Sequence, residues 1–240
     1  MTNKPTLHSI AKMIDHSLLH PTMTDQELTA GCRLALHHNV ASVCIKPYAV
    51  PLASNLLKGS DVAVGTVIGF PHGNSQPAVK LLEAERALSD GATELDMVVN
   101  IGKVLSSDWN AVSGEIRLIN ELVTSNGALL KVIFENDFLP QDEFKVHLCH
   151  LCSEHGVAFV KTSTGYGFVK GDDGRYSYQG ATDHDLALMR RESAPEVRVK
   201  AAGGVRTLDD LLRVRTLGVT RVGATATEAI LAEARARGMG

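Results

Sequence analysis

Three charged side chains stand at or near the ends of short apolar runs in this chain of 240 residues. Asp96 lies in ELDMVVN, Lys161 in FVKTSTG and Lys200 in RVKAAGG. A lysine is a poor nucleophile while protonated, and its pKa falls when desolvation and a second cation both disfavour the ammonium form. Lys161, kept neutral by Lys200, could attack an aldehyde. The resulting imine would withdraw electrons and let a carbon-carbon bond break, with Asp96 carrying protons. One strand-end lysine alone is more simply a residue whose stem lies on apolar surface while its head reaches water. Two of them with an aspartate point to chemistry.

Short β-branched runs alternate with stretches of helical period along the whole sequence, and no Pro/Gly/Ser-rich linker or charge block divides it. That rhythm predicts βαβ units. Buried parallel strands are expected at Ile14–Leu18, Ser42–Ile45, Ala63–Ile68, Glu94–Val98, Leu130–Phe134, Phe159–Thr162, Arg198–Lys200 and Arg221–Val222. Eight such strands predict a single α/β domain over residues 1–240, a (β/α)₈ TIM barrel. Asp96, Lys161 and Lys200 then fall on the fourth, sixth and seventh strands. Neighbouring strands lie ~5 Å apart, so the two lysines would face each other. Thr24 with Glu27 reads as a capping box, and Thr207 opens the helix that begins Leu208-Asp209-Asp210. The segment 165–182 lacks helical period and reads as a long loop after the catalytic strand, where barrels do chemistry.

Glycines supply a second signal. Gly165, the pair Gly203-Gly204, and Gly223 ahead of Thr225 follow the last three strands. Backbone amides and helix amino termini exposed there form an anion site, so a phosphorylated substrate is expected. A single glycine after a strand is usually only a turn; the convergence on consecutive loops carries the reading.

Lys and Arg number 24 against 27 Asp and Glu, a net charge of -3 that gives no general attraction to nucleic acid or anionic lipid. The N-terminal stretch MTNKPTLHSIAKMIDH has no apolar segment of leader length, and no run is long enough to span a bilayer. Cys32, Cys44, Cys149 and Cys152 are too few for a disulfide framework in a chain this long. A cytoplasmic location is expected.

The strings IDHSLL at 14–19, SVCIKPYAV at 42–50, VGTVIGFPHG at 64–73, GATELDMVVNIG at 91–102, KVIFE at 131–135, FVKTSTGYG at 159–167, VRVKAAGGVRT at 197–207 and RVGAT at 221–225 resemble the deoxyribose-phosphate aldolases, a class I, Schiff-base-forming family. They occur in family order over nearly the whole barrel. The resemblance implies reversible cleavage of 2-deoxy-D-ribose 5-phosphate to acetaldehyde and D-glyceraldehyde 3-phosphate, with no metal or organic cofactor. It implies that Lys161 forms the imine, that Lys200 lowers its pKa and assists proton transfer, and that Asp96 belongs to the proton relay. It sets Asp15 and Cys44 at the acetaldehyde end, and Gly165, Gly203, Gly204, Gly223 and Thr225 around the phosphate; Thr164 joins the substrate-binding set. A homodimer is the assembly it implies.

Two positions depart from the family pattern. Thr225 and Ala226 stand where serines are common, and the loop from Phe168 to Gln179 is longer than in the shorter members. Two other functions stay open: another imine-forming phosphosugar aldolase on the same barrel, or a non-catalytic sugar-phosphate binding barrel, since fold alone does not give function. Cys149 and Cys152, with neighbouring histidines, read as core residues of a helix rather than a zinc site. His16 and His72 read as pocket-wall or structural residues, and the helix from Gln76 to Ser89, with Lys80, Glu83, Glu85 and Arg86, as a solvated face. Trp109, Tyr166, Phe168, Tyr176 and Tyr178 read as loop packing or a lid rather than a nucleic-acid platform.

Overall fold

In the computed structural model, which describes residues 5–240, eight parallel strands close into a barrel. The first four of the N-terminal residues read above for a leader lie outside the described residues. In chain order come α1 (Leu7–Ala11), β1 (Ile14–Leu18), α2 (Asp25–His38), β2 (Ser42–Ile45), α3 (Val50–Leu56), β3 (Ala63–Ile68), α4 (Pro77–Ser89) and β4 (Glu94–Val98). They are followed by α5 (Ile101–Leu105), α6 (Trp109–Ser125), β5 (Leu129–Ile133), α7 (Asp142–Glu154) and β6 (Phe159–Lys161). A small hairpin, β7 (Val169–Lys170) with β8 (Tyr176–Ser177), interrupts the pattern before α8 (Asp183–Glu192), β9 (Arg198–Ala202), α9 (Leu208–Thr216), β10 (Val219–Ala224) and α10 (Thr227–Ala236). The barrel order is β1-β2-β3-β4-β5-β6-β9-β10, and β10 pairs back onto β1. Among the described residues no helix is long and apolar enough to cross a membrane.

The first four strands fall where the sequence predicts them, β5 lies one residue earlier at both ends, and β6 ends one residue earlier. β9 and β10 run further than expected: Ala201, Ala202, Gly223 and Ala224 are small residues that carry no strand signal yet continue the ladder, and β10 also begins two residues earlier, at Val219. The segment 165–182 is not wholly irregular. It holds β7 and β8, joined by a turn in which the Gly171 amide donates to the Arg175 carbonyl at 2.8 Å and Gly174 has φ +77°.

Each barrel strand has two buried faces with different contents. Ile14, Val43, Leu95, Met97, Leu130, Val132, Val160, Val199 and Val222 join the apolar core under the helices. Their alternate neighbours include Asp15, Glu94, Asp96, Lys131, Lys161, Lys200 and Arg221, all buried, and these contact one another inside the barrel. Branched aliphatic residues usually fill that space. Here its lower half is ionic.

Capping follows the sequence. Thr24 and Glu27 form a reciprocal box at α2, and Thr207 forms one with Asp210 at α9. Cys149 and Cys152 lie on the buried face of α7, and Trp109 stacks on His147 with ring centroids 3.9 Å apart. The solvated-face reading of α4 holds for Glu85 and Arg86 and fails for Lys80 and Glu83. Lys80 is completely buried, 2.8 Å from Glu115 of α6, and donates to the Val98 carbonyl at 2.8 Å. Glu83 accepts from the Gly69 amide at 2.6 Å. The partner of Lys80 comes from a different helix, so the local pattern of α4 carries no trace of it.

Removing one partner of a buried pair strands the other charge. Lys80→Ala is expected to lower unfolding free energy by about 3 kcal/mol or more, read by urea denaturation; a loss below about 1 kcal/mol would show that the pair is not holding α4 on α6.

Candidate active site

Strand register assembles the charged residues. Lys161 on β6 lies directly opposite Lys200 on β9, Lys200 is opposite Arg221 on β10, and Asp96 on β4 is opposite Lys131 on β5. Asp96 is the hub: Oδ2 accepts from the Nζ atoms of Lys161 and Lys200, each at 2.7 Å, and Oδ1 accepts from Lys131 at 2.7 Å. Lys131 also lies 2.7 Å from Glu94 and 3.6 Å from Asp15. Asp15 lies 2.5 Å from Lys200 and accepts from Arg221 at 2.5 Å and from the Ser42 hydroxyl at 2.6 Å. Arg221 completes the ring with two bonds to Glu94, at 3.0 and 3.1 Å.

This connected network holds three carboxylates, Asp15, Glu94 and Asp96, and four basic groups, Lys131, Lys161, Lys200 and Arg221. A net charge in a dry interior is costly, so the neutral arrangement has one base uncharged. Arginine stays protonated. Of the lysines, Lys131 contacts three carboxylates, Lys200 two and Lys161 only Asp96. Lys161 is therefore the group that gives up its proton.

The titration shifts run the same way. Burial lowers the Lys161 pKa, with Asp96 opposing and the Lys200 ammonium assisting. In Lys200 burial is outweighed by Asp15 and Asp96, and in Lys131 by Asp96, Glu94 and Asp15, so both are raised. Asp96 is held well below the usual carboxylate range because Lys131, Lys161 and Lys200 overcome its burial. Burial and the nearby Asp96 push the Cys44 thiol up to about 11, which keeps it neutral.

A pocket of about 620 Å³ opens above this network. Lys161, Lys200, Asp15 and Cys44 line it, as do Thr164, Gly165, Gly203, Gly204, Gly223 and Thr225. Asp96 is the one sequence-proposed site residue outside the lining; it lies beneath the lysines, fully buried. Gly203 has φ +84°, and a Cβ there would sit 2.1 Å from the Tyr178 hydroxyl, so only glycine fits. Two helices begin beside the pocket. The amino end of α9 is capped by Thr207, whereas α10 starts after Ala226 with no side-chain cap. The first amides of α10 are thus open to an anion, next to Thr225.

The DeoC/LacD family aldolase model matches residues 9–238. The chain belongs to the DeoC/LacD aldolase family. A deoxyribose-phosphate aldolase of Rhodopirellula baltica is 51% identical over 228 residues, 95% of this chain and 90% of that protein. One from Clostridium perfringens is 44% identical over 221 residues, 92% of this chain and 93% of its own length. The tetrameric deoxyribose phosphate aldolase of Aeropyrum pernix has a TM-score of 0.84 at 29% identity, covering 97% of this chain and 93% of that one.

Within this family member, several residues of the site carry no role in the sequence reading, Tyr178 excepted, which reads there as loop packing or a lid. Lys131, Glu94 and Arg221 build the ionic network, and His20, Arg206 and Tyr178 line the pocket. A signal exists for the first three: Glu94 and Asp96 share one strand face by period two, and Lys131 and Arg221 are lone charges inside apolar runs. His16 and His72 are not among the lining residues. His16 bonds the Thr227 hydroxyl at 2.9 Å, with burial lowering its pKa to about 4, and His72 is exposed. A cluster of Asp142, His184 and Asp185 has metal-ligand character, but the Lys145 ammonium already lies 2.9 and 2.6 Å from its two carboxylates.

Lys131→Met removes one cation and leaves the network with a negative charge that protonating Lys161 would cancel. The pH midpoint for borohydride trapping of an aldehyde on Lys161 is expected to rise by about one unit or more, so trapping at neutral pH slows and recovers on the alkaline side. An unchanged midpoint would break the charge-balance argument.

Proposed function

We propose that this chain is a class I aldolase that cleaves 2-deoxy-D-ribose 5-phosphate to acetaldehyde and D-glyceraldehyde 3-phosphate, using residues 1–240 as one catalytic domain. The observation that carries the reading is the position of Lys161, held by one carboxylate in a network whose other six charges cancel, beneath a pocket whose rim offers open backbone amides. The names of relatives matching nine-tenths of the chain support the substrate.

The steps follow from the groups present. Lys161 Nζ attacks C1 of the open-chain aldehyde, and the carbinolamine loses its hydroxyl as water with a proton from the Lys200 ammonium, the charged acid in reach. The iminium draws electrons as the C2–C3 bond breaks; the C3 hydroxyl gives up its proton to Lys200, now neutral, and glyceraldehyde 3-phosphate leaves. The enamine takes a proton at C2 from Lys200, and water hydrolyses the iminium to free acetaldehyde, returning a proton to Lys200. Asp96, expected in the proton relay, joins both pocket lysines in one hydrogen-bonded group. Both its oxygens are engaged by lysines and its pKa is held low, so it serves as the fixed negative charge that aims Lys161 and Lys200. Asp15 anchors Lys200 from the other side. Cys44 is a neutral wall at the aldehyde end, Gly165, Gly203, Gly204, Gly223 and Thr225 hold the phosphate with the amides of α10, and Thr164 lines the pocket beside them.

The chemistry uses no metal or organic cofactor, and the proposed location is the cytosol, in keeping with four unpaired thiols. The proposed assembly is a homodimer, for which exposed Tyr48, Val79 and Leu82 offer an apolar contact face; sedimentation equilibrium reads it.

Borohydride reduction in the presence of deoxyribose 5-phosphate, followed by peptide mass spectrometry, is expected to place a covalent adduct on the peptide containing Lys161. Lys161→Arg should abolish both adduct and turnover, and Lys200→Met should lower kcat roughly a hundred-fold or more. A pure sugar-phosphate binder forms no reducible adduct, and that result would overturn the proposal.

A further inference from the structure

The carboxylate of Glu135 has no part in the chemistry above, yet it is buried directly behind the pocket wall. Its backbone is left-handed, at φ 60° and ψ 64°, a conformation that costs a non-glycine residue energy and persists only where the surroundings enforce it. The surroundings here are specific. The Phe134 amide donates to the Lys161 carbonyl at 2.9 Å and the Asn136 amide to the Thr162 carbonyl at 3.0 Å, so the backbone on both sides of Glu135 stays zipped to the catalytic strand. The left-handed turn between them sends the side chain to Thr164. One Glu135 oxygen accepts from the Thr164 amide at 3.1 Å and the other from the Thr164 hydroxyl, which in turn accepts from the Tyr166 amide at 2.9 Å. Gly167 leaves the room this needs, since a Cβ there would fall 2.6 Å from the Glu135 carboxyl carbon.

Among the described residues no lysine, arginine or histidine lies within ion-pair distance of Glu135, and burial raises its pKa while the two Thr164 bonds lower it. A buried carboxyl whose partners are one threonine of a substrate loop is expensive as mere packing. Two residues on, Asp137 accepts from the Gln179 and Gly180 amides, at 2.5 and 3.0 Å, and the adjacent Ala181 amide donates to the Gly203 carbonyl at 3.1 Å. The segment 135–137 thus grips both ends of the long loop 165–180, and the second grip continues into the Gly203-Gly204 turn.

Resting on the phosphosugar reading of the same pocket, we propose that Glu135 is a positioning residue for recognition of the substrate's phosphate: it fixes the Thr164-Gly165 turn, and Asp137 fixes the Gly203 turn through Gly180 and Ala181. Neither touches substrate. Their effect is to hold two separate loops at one spacing, suited to a tetrahedral dianion.

The readout is preference rather than activity. For wild type, Glu135→Ala, Glu135→Gln and Asp137→Ala, kcat/KM is measured with deoxyribose 5-phosphate and with unphosphorylated 2-deoxyribose, and the ratio is compared. Glu135→Ala is expected to reduce that ratio roughly ten-fold or more, carried by KM of the phosphorylated sugar. Glu135→Gln, which keeps one acceptor, should fall between Ala and wild type, and Asp137→Ala should shift the ratio in the same direction. If Glu135→Ala does not fold, the Gln variant and Asp137→Ala still decide. Ratios within two-fold of wild type in every folded variant would overturn the inference while leaving the aldolase reading intact. Wild-type protein that cleaves neither sugar would instead overturn that reading.

Discussion

Electroneutrality of a sealed cluster is the constraint from which the rest of this site follows. Three carboxylates and four basic side chains meet inside the barrel, where solvent cannot screen an excess charge. The surplus falls on the lysine with the fewest anionic contacts, and that lysine faces the pocket. A second cation near Lys161 is only part of the cause. Lys200 repels the Lys161 proton directly, while Lys131 and Arg221 act by claiming the carboxylates that would otherwise stabilise it.

Such an arrangement works only while water is kept from the underside. Phe159 sits at the inward register of β6, opposite Lys131, and is buried. The guanidinium of Arg198 lies 3.9 Å from its ring centroid and that of Arg221 lies 5.3 Å away. The aromatic ring lies against two cations at the end of the network away from the pocket, where Arg221 and Glu94 stay largely shielded. The apolar layer between strands and helices then supplies the stability that an ionic interior does not.

The barrel and the facing lysines were legible because both depend on local pattern: β-branched runs set the strands, and charges ending those runs mark the carboxyl face. The rest depends on closure. Asp15 and Arg221 stand 206 positions apart and touch only because β10 returns to β1, so no window of sequence contains the pair. Lys131 looks like any lone charge in LLKVI until register sets it against Asp96. The misreading of Lys80 has the same origin, since its counter-ion is supplied by α6. Glu135 ends the family string KVIFE, but its importance lies in a backbone angle, and side-chain type does not report that for a glutamate.

The bare amino end of α10 has a consequence for the barrel as a mechanical object. Among the described residues, four of the seven longer helices borrow an oxygen from a neighbouring side chain to finish their first turn, and α4, α7 and α10 do not; of these three, α10 is the one that starts beside the pocket. A bound phosphate would be that missing oxygen. Because α10 follows β10, and β10 forms the closing seam with β1, the ligand would stiffen the place where the two ends of the chain meet. Filling the pocket and fastening the ring of strands would then be one event, and the empty protein should loosen first along that seam.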